Sequence, residues 1–177
     1  MVLLAGCSTL SYQEPTSGPR ARVRFATETL DASLVYSYDD QSCRTNEIEL
    51  VRLRNGVLVS GAPKRLGLPL WSYHENAAKE FYVASGKPSY FMFTGTSTSP
   101  YDRNVYSCGV AFSLNFVADT DYEVIFNWHP TQCRVFVNKL LVEGGEPRRV
   151  RMMSFDNKLT PQTADCYAKF TKMRLFP

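Results

Sequence analysis

A chain of 177 residues, 44% hydrophobic and 21% charged, is long enough to fill one core and too apolar for wholesale disorder. Ten Tyr and eleven Phe favour strands over helices. A net charge of +3 argues against a nucleic-acid partner, and no apolar run is long enough to cross a membrane as a helix.

The chain opens "MVLLAGCSTL". Leu4-Ala5-Gly6-Cys7 resembles the lipobox of bacterial lipoproteins, an aliphatic residue and two small ones before a cysteine. Small residues admit an extended chain to a peptidase site, and the thiol is the nucleophile that takes up a diacylglycerol chain. The resemblance implies that Cys7 is the lipidation site and, after cleavage, the first mature residue. Residues 1–7 would then be the remnant of a lipoprotein signal whose start lies upstream, since no basic stretch precedes the short apolar run. Ser8, rather than Asp, resembles the outer-membrane sorting pattern. The implied address is the bacterial outer membrane, lipid-anchored, facing the periplasm or the cell surface. Each buried methylene contributes about 0.8 kcal/mol, so several acyl chains anchor stably where one does not.

Residues 8–19, "STLSYQEPTSGP", lack periodicity and read as a flexible tether to a single domain over 20–177. A coil of that length holds its domain on the order of 20 Å from the bilayer.

"RARVRFA" alternates from Arg20, with Ala21, Val23 and Phe25 on one face and Arg20, Arg22 and Arg24 on the other. "SLVYSY" (33–38) is a second strand. "EIELVRLRNGVLVSG" reads as a hairpin turning at Asn55-Gly56, residues that accept positive φ. Ser72 with Glu75 fits a capping box and predicts one short helix in "SYHENAAKE". "EFYVASGKPSYFMFTG" reads as a further hairpin, broken at 85–88.

From Val105, "VYSCGVAFSLNF", "YEVIFNW" and "CRVFVNKLLV" predict three consecutive antiparallel strands, a meander. "EPRRVRMMSF" and "CYAKFTKMRLF" supply closing strands. About eight short strands, at most one short helix and no long repeat predict an all-β antiparallel sandwich of immunoglobulin or transthyretin type.

Beyond Cys7, the four cysteines of an exported domain read as two disulfides, with three connectivities open. A turn at 118–121 brings Cys108 opposite position 131, beside Cys133. That register favours Cys108–Cys133 and leaves Cys43–Cys166 by elimination.

Arg20, Arg22 and Arg24 share the predicted solvent side with Arg148, Arg149 and Arg151. If the first and last strands adjoin, these form a basic patch for anionic envelope polymers or lipid head groups. The competing reading is a solubilising, charge-protected edge. His74 and His129 accompany neither GxSxG nor HExxH and read as surface or packing residues. His129, Cys133 and Cys108 make a poor zinc set without a CxxC pair. No catalytic residue, metal or cofactor is assigned. Loop aromatics in "WSYHE" and "SYFMF" suit carbohydrate or protein contact.

These features predict a non-catalytic envelope lipoprotein, a binding or assembly component for an envelope protein or a polysaccharide, with the membrane as partner through its anchor. One rival is an inhibitor of a secreted hydrolase such as lysozyme, although a positive chain loses steering toward a basic enzyme. The other is a histidine-dependent hydrolase.

Overall fold

The computed structural model describes residues 12–29, 32–40, 46–54, 64–98, 104–129, 132–156 and 173–174. Period-two alternation of apolar side chains gives β1 (Arg20–Thr27), β2 (Ala32–Tyr38), β3 (Ile48–Arg54), β4 (Ala78–Ala84), β5 (Pro88–Thr98), β6 (Asn104–Asn115), β7 (Asp121–His129), β8 (Gln132–Glu143) and β9 (Glu146–Asp156), with a two-residue β10 (Met173–Arg174). They form two five-stranded sheets: sheet I in the order β4-β1-β7-β8-β9, and sheet II in the order β10-β6-β5-β2-β3. The chain is an all-β sandwich. Pairing is antiparallel except between β1 and β7, which run parallel. Parallel neighbours need a crossover, and the strands of sheet II supply it.

The core lies between the sheets. Val23, Phe25, Val83, Val124, Phe126 and Val135 of sheet I meet Val35, Leu53, Phe91, Phe93 and Val110 of sheet II. Phe93 and Phe126 stack with centroids 4.9 Å apart and planes 6° from parallel. That contact requires a glycine at 95, because a Cβ there would stand 2.8 Å from Phe126 Cε1 and 3.0 Å from Trp128 Cε3.

Two predicted connections differ from the structure. β4 and β5 are not a hairpin, because they belong to different sheets and the turn at 85–87 crosses the sandwich. Nor do β6, β7 and β8 form one meander, since β6 lies in sheet II and the other two in sheet I. Alternation tells which side of a strand faces the core, but both sheets share that core, so it cannot assign the sheet. The predicted Cys108–Cys133 disulfide is present. Its setting is different: it joins β6 to β8 across the core, tying one sheet to the other.

Among the described residues there is no helix. Where the capping box stood, Ala77 N–H donates to the His74 carbonyl at 2.9 Å and closes a single turn. The Asn76 and Ala77 carbonyls accept instead from Arg54 and Thr27, both at 2.9 Å, so neither can feed a helical ladder.

The tether is shorter than predicted. Tyr12 packs edge-on to Phe81, ring centroids 6.2 Å apart, and donates its hydroxyl to the Tyr82 carbonyl at 3.1 Å. Glu14 accepts the Tyr82 N–H at 2.8 Å, and Ser85 N–H donates to the Pro19 carbonyl at 3.0 Å. β4 is an edge strand, and its open backbone groups draw this segment onto the domain. Burial pushes the Tyr12 phenol up to about 12. Cys7, Cys43, Cys166 and the second arm of the Asn55-Gly56 hairpin lie outside the described residues, as does most of the last predicted strand.

A polar ladder and a groove on the outer face of sheet I

Strand registers turn same-face residues into rows across a sheet. On the outer face of sheet I, one row runs Glu80, Arg24, Glu123, Asn138, Arg151, one residue from each of β4, β1, β7, β8 and β9. The neighbouring row runs Tyr82, Arg22, Asp121, Leu140, Arg149. Arginines thus alternate with acids and polar groups.

Arg24 is not on a solvent face. It is fully buried together with Glu80 and Glu123. Its Nη2 donates to Glu80 Oε1 at 2.8 Å and its Nη1 to Glu123 Oε1 at 3.0 Å. The segment 64–77 covers it and is bonded to it through backbone. Arg24 donates to the carbonyls of Leu68 and Pro69, both at 2.9 Å, and of Leu70 at 3.3 Å. Glu80 Oε2 accepts from the N–H groups of Leu66, Gly67 and Leu68. One arginine and one glutamate therefore bond six backbone groups of the covering segment, those of Leu68 buried and the rest partly so. Leu70 holds a left-handed φ of 59°, which aims its carbonyl at both Arg24 and Arg149.

Glu123 is the hub. Arg149 Nε donates to its Oε2 at 2.7 Å and Asn138 Nδ2 to the same oxygen at 3.2 Å. Burial drives its carboxyl pKa up, but the hydrogen bonds and charges of Arg149 and Arg24, with Asn138, outweigh burial and hold it below the usual carboxylate range. The sign of the linkage follows. A folded-state pKa below the unfolded one stabilises the protein above the unfolded value, and that stability is lost as pH falls through the folded value. Urea midpoints should accordingly decline once pH falls below about 4.5, the ordinary Glu value. A flat profile down to about pH 3 would contradict the hub role.

Of the six arginines of the predicted patch, Arg20, Arg22, Arg24, Arg149 and Arg151 share one face, although β7 and β8 separate β1 from β9, and Arg148 has the opposite parity. They do not make a free basic surface. Arg22 forms a two-pronged pair with Asp121, both contacts at 2.7 Å. Arg20 donates to the Pro15 carbonyl at 2.9 Å and lies over the Tyr82 ring at 4.0 Å. Arg149 is neutralised by Glu123, and Arg148 pairs with Glu143 at 2.7 Å. Arg151, like Arg20, has no carboxylate partner among the described residues; its Nε donates to Asn138 Oδ1 at 2.7 Å and its guanidinium lies 4.2 Å over the Phe136 ring.

Beside this row the covering segment leaves a groove of about 580 Å³. Thr27 and Glu28 line its β1 end, Arg149 and Arg151 its β9 end, and Tyr73, His74, Ala77 and Ile125 the span between. Ala26, Ala78 and Ile125, with Trp71, Tyr73 and Phe136, form an apolar cluster at this end of the face. Burial and the Glu123 charge both push the Tyr73 phenol upward.

The other sequence candidates are dispersed. His74 is exposed and has no carboxylate partner among the described residues. Cys108 and Cys133 are joined to each other and offer no thiolate to zinc. Tyr90 sits with Tyr36, Tyr38 and Met92 on the outer face of sheet II, remote from Trp71 and Tyr73. The sequence reading missed Glu80 and Glu123. Their signal was available: each stands at the polar parity of a strand, in register with Arg24.

No protein-family model, curated protein or solved structure matches the chain.

Proposed function

We propose that this is a non-catalytic envelope lipoprotein, anchored in the outer membrane through Cys7, that acts as a binding or assembly component. The observation that carries the reading is the disulfide between Cys108 and Cys133, a pairing typical of oxidising compartments, in a chain that begins with a lipobox-like tetrapeptide. The buried ladder supports it as well. Arg24, Glu80 and Glu123 are bonded to one another and to the covering backbone, an arrangement that fixes a segment in place rather than presenting an acid–base pair to a substrate.

Docking of Tyr12 shortens the reach. Only Ser8 to Ser11 separate Cys7 from it, and four residues span at most about 15 Å. Such a domain rides close to the bilayer. The test is fractionation of wild type and Cys7→Ser, with mass spectrometry of the mature N-terminus. An acylated Cys7 and release of the variant into the soluble fraction are expected. An unmodified N-terminus, or a variant that partitions like wild type, would overturn the reading.

A further inference from the structure

We propose that the groove on the outer face of sheet I binds a glycan that carries a carboxylate, with Arg151 as the residue that takes the anionic group. The identification of an envelope polymer as its natural source rests on the function proposed above; the binding chemistry does not.

Two arginines line this groove, and Arg151 is the one that the fold leaves without an acid among the described residues, since Arg149 is paired with Glu123. It is held in a single orientation by neutral partners, through Asn138 at 2.7 Å and the face of Phe136 at 4.2 Å. Asn138 is itself buried and anchored to Glu123. Nε is engaged, which leaves the two terminal nitrogens to make the paired donor edge that fits a carboxylate. Holding the guanidinium beforehand removes much of the ordering cost of binding.

The rest of the groove specifies what the carboxylate is attached to. Its span sets the half-buried ring of Tyr73 among Ser72 and His74, a mixed aromatic and polar surface suited to a sugar ring, with its carbon–hydrogen face on the aromatic side chain and its hydroxyls on the polar ones. Its β1 end presents the exposed Glu28 carboxylate, which accepts from Asn127 and has further acceptor capacity for a hydroxyl while repelling a second anion. Three strand spacings separate the two ends, roughly 14 Å. An occupant charged at one end and hydroxylated at the other fits this polarity, whereas a polyanion charged along its length does not.

The test is calorimetric titration of the full chain with 3′-sialyllactose, a trisaccharide with a single carboxylate at one end, with maltotriose as an uncharged trisaccharide, trigalacturonate as a polyanion and inorganic phosphate as a bare anion. Saturable binding of 3′-sialyllactose is expected, at least tenfold tighter than maltotriose, trigalacturonate or phosphate. Arg151→Ala should weaken it at least tenfold, and Arg151→Lys should restore only part of the loss. Arg151 stands on the exposed edge strand, so these variants should melt with wild type. Should Arg151→Ala melt early, the comparison of Lys with wild type decides. Unchanged affinity in the Arg151 variants, equal affinity for maltotriose, trigalacturonate or phosphate, or no saturable binding at all would overturn the proposal. Cys7→Ser fractionation fails or succeeds independently of each of these outcomes.

Discussion

Arg24→Met should destabilise the domain by about 3–5 kcal/mol, more than any exposed arginine on the same face. The side chain is fully buried between Glu80 and Glu123, both fully buried themselves. Removing it leaves two carboxylates in low dielectric without their shared cation, and the Leu68 and Pro69 carbonyls of the covering segment without its donors, while Leu70 keeps only Arg149. Two readouts separate this from simple loss of packing. Trp71 lies 5.2 Å from the Arg24 guanidinium, so its fluorescence should report release of the segment before global unfolding. Adding Glu80→Gln and Glu123→Gln should recover part of the stability, because the penalty belongs to the uncompensated charges. A single variant within about 1 kcal/mol of wild type would show that water reaches the site.

The double replacement Cys108→Ala/Cys133→Ala should cost about 3–4 kcal/mol, the loop-closure value for a separation of 25 residues. The bridge links opposite sheets, so its loss frees β6 from β8 without touching any strand ladder. Urea unfolding should shift its midpoint downward and steepen its slope, because the uncrosslinked denatured chain exposes more surface. Reduction of the wild-type protein should lower the midpoint in the same direction. No shift in the double variant would mean that the sheets hold their packing through Phe93, Phe126 and their neighbours alone.

What the sequence made legible was the face, not the layer. The alternation in "RARVRFA" and "YEVIFNW" assigns every inward residue of β1 and β7 correctly. It carries no information on which sheet a strand joins, and so the two turns that cross the sandwich read as hairpins. The cysteine pair was found because Cys108 and Cys133 are both inward, a property that survives the wrong connectivity. Arg24 read as exposed because a charged residue at polar parity normally is. Its burial depends on "LPLW" at 68–71 folding back over the strand, and only the apolar character of that loop hinted at a lid. The tether misled for a similar reason: one aromatic, Tyr12, among Ser, Thr and Pro sufficed to dock it. The groove was illegible, since its walls come from β1, β7, β8, β9 and the covering segment, and no stretch of sequence contains it.

The parallel neighbour of β1 sets an order of events for a chain delivered from its N-terminus. Arg24 meets Glu80 across 56 residues and Glu123 across 99. The earliest strand is therefore an interior one whose second partner emerges only when Glu123, of 177 residues, has been extruded. Until then Val23 and Phe25 face solvent, and a guanidinium destined for the interior stays hydrated. Pairings this distant in sequence form slowly, and a waiting apolar strand invites chaperone capture. Sheet I therefore cannot close around β1 until β7 is in place.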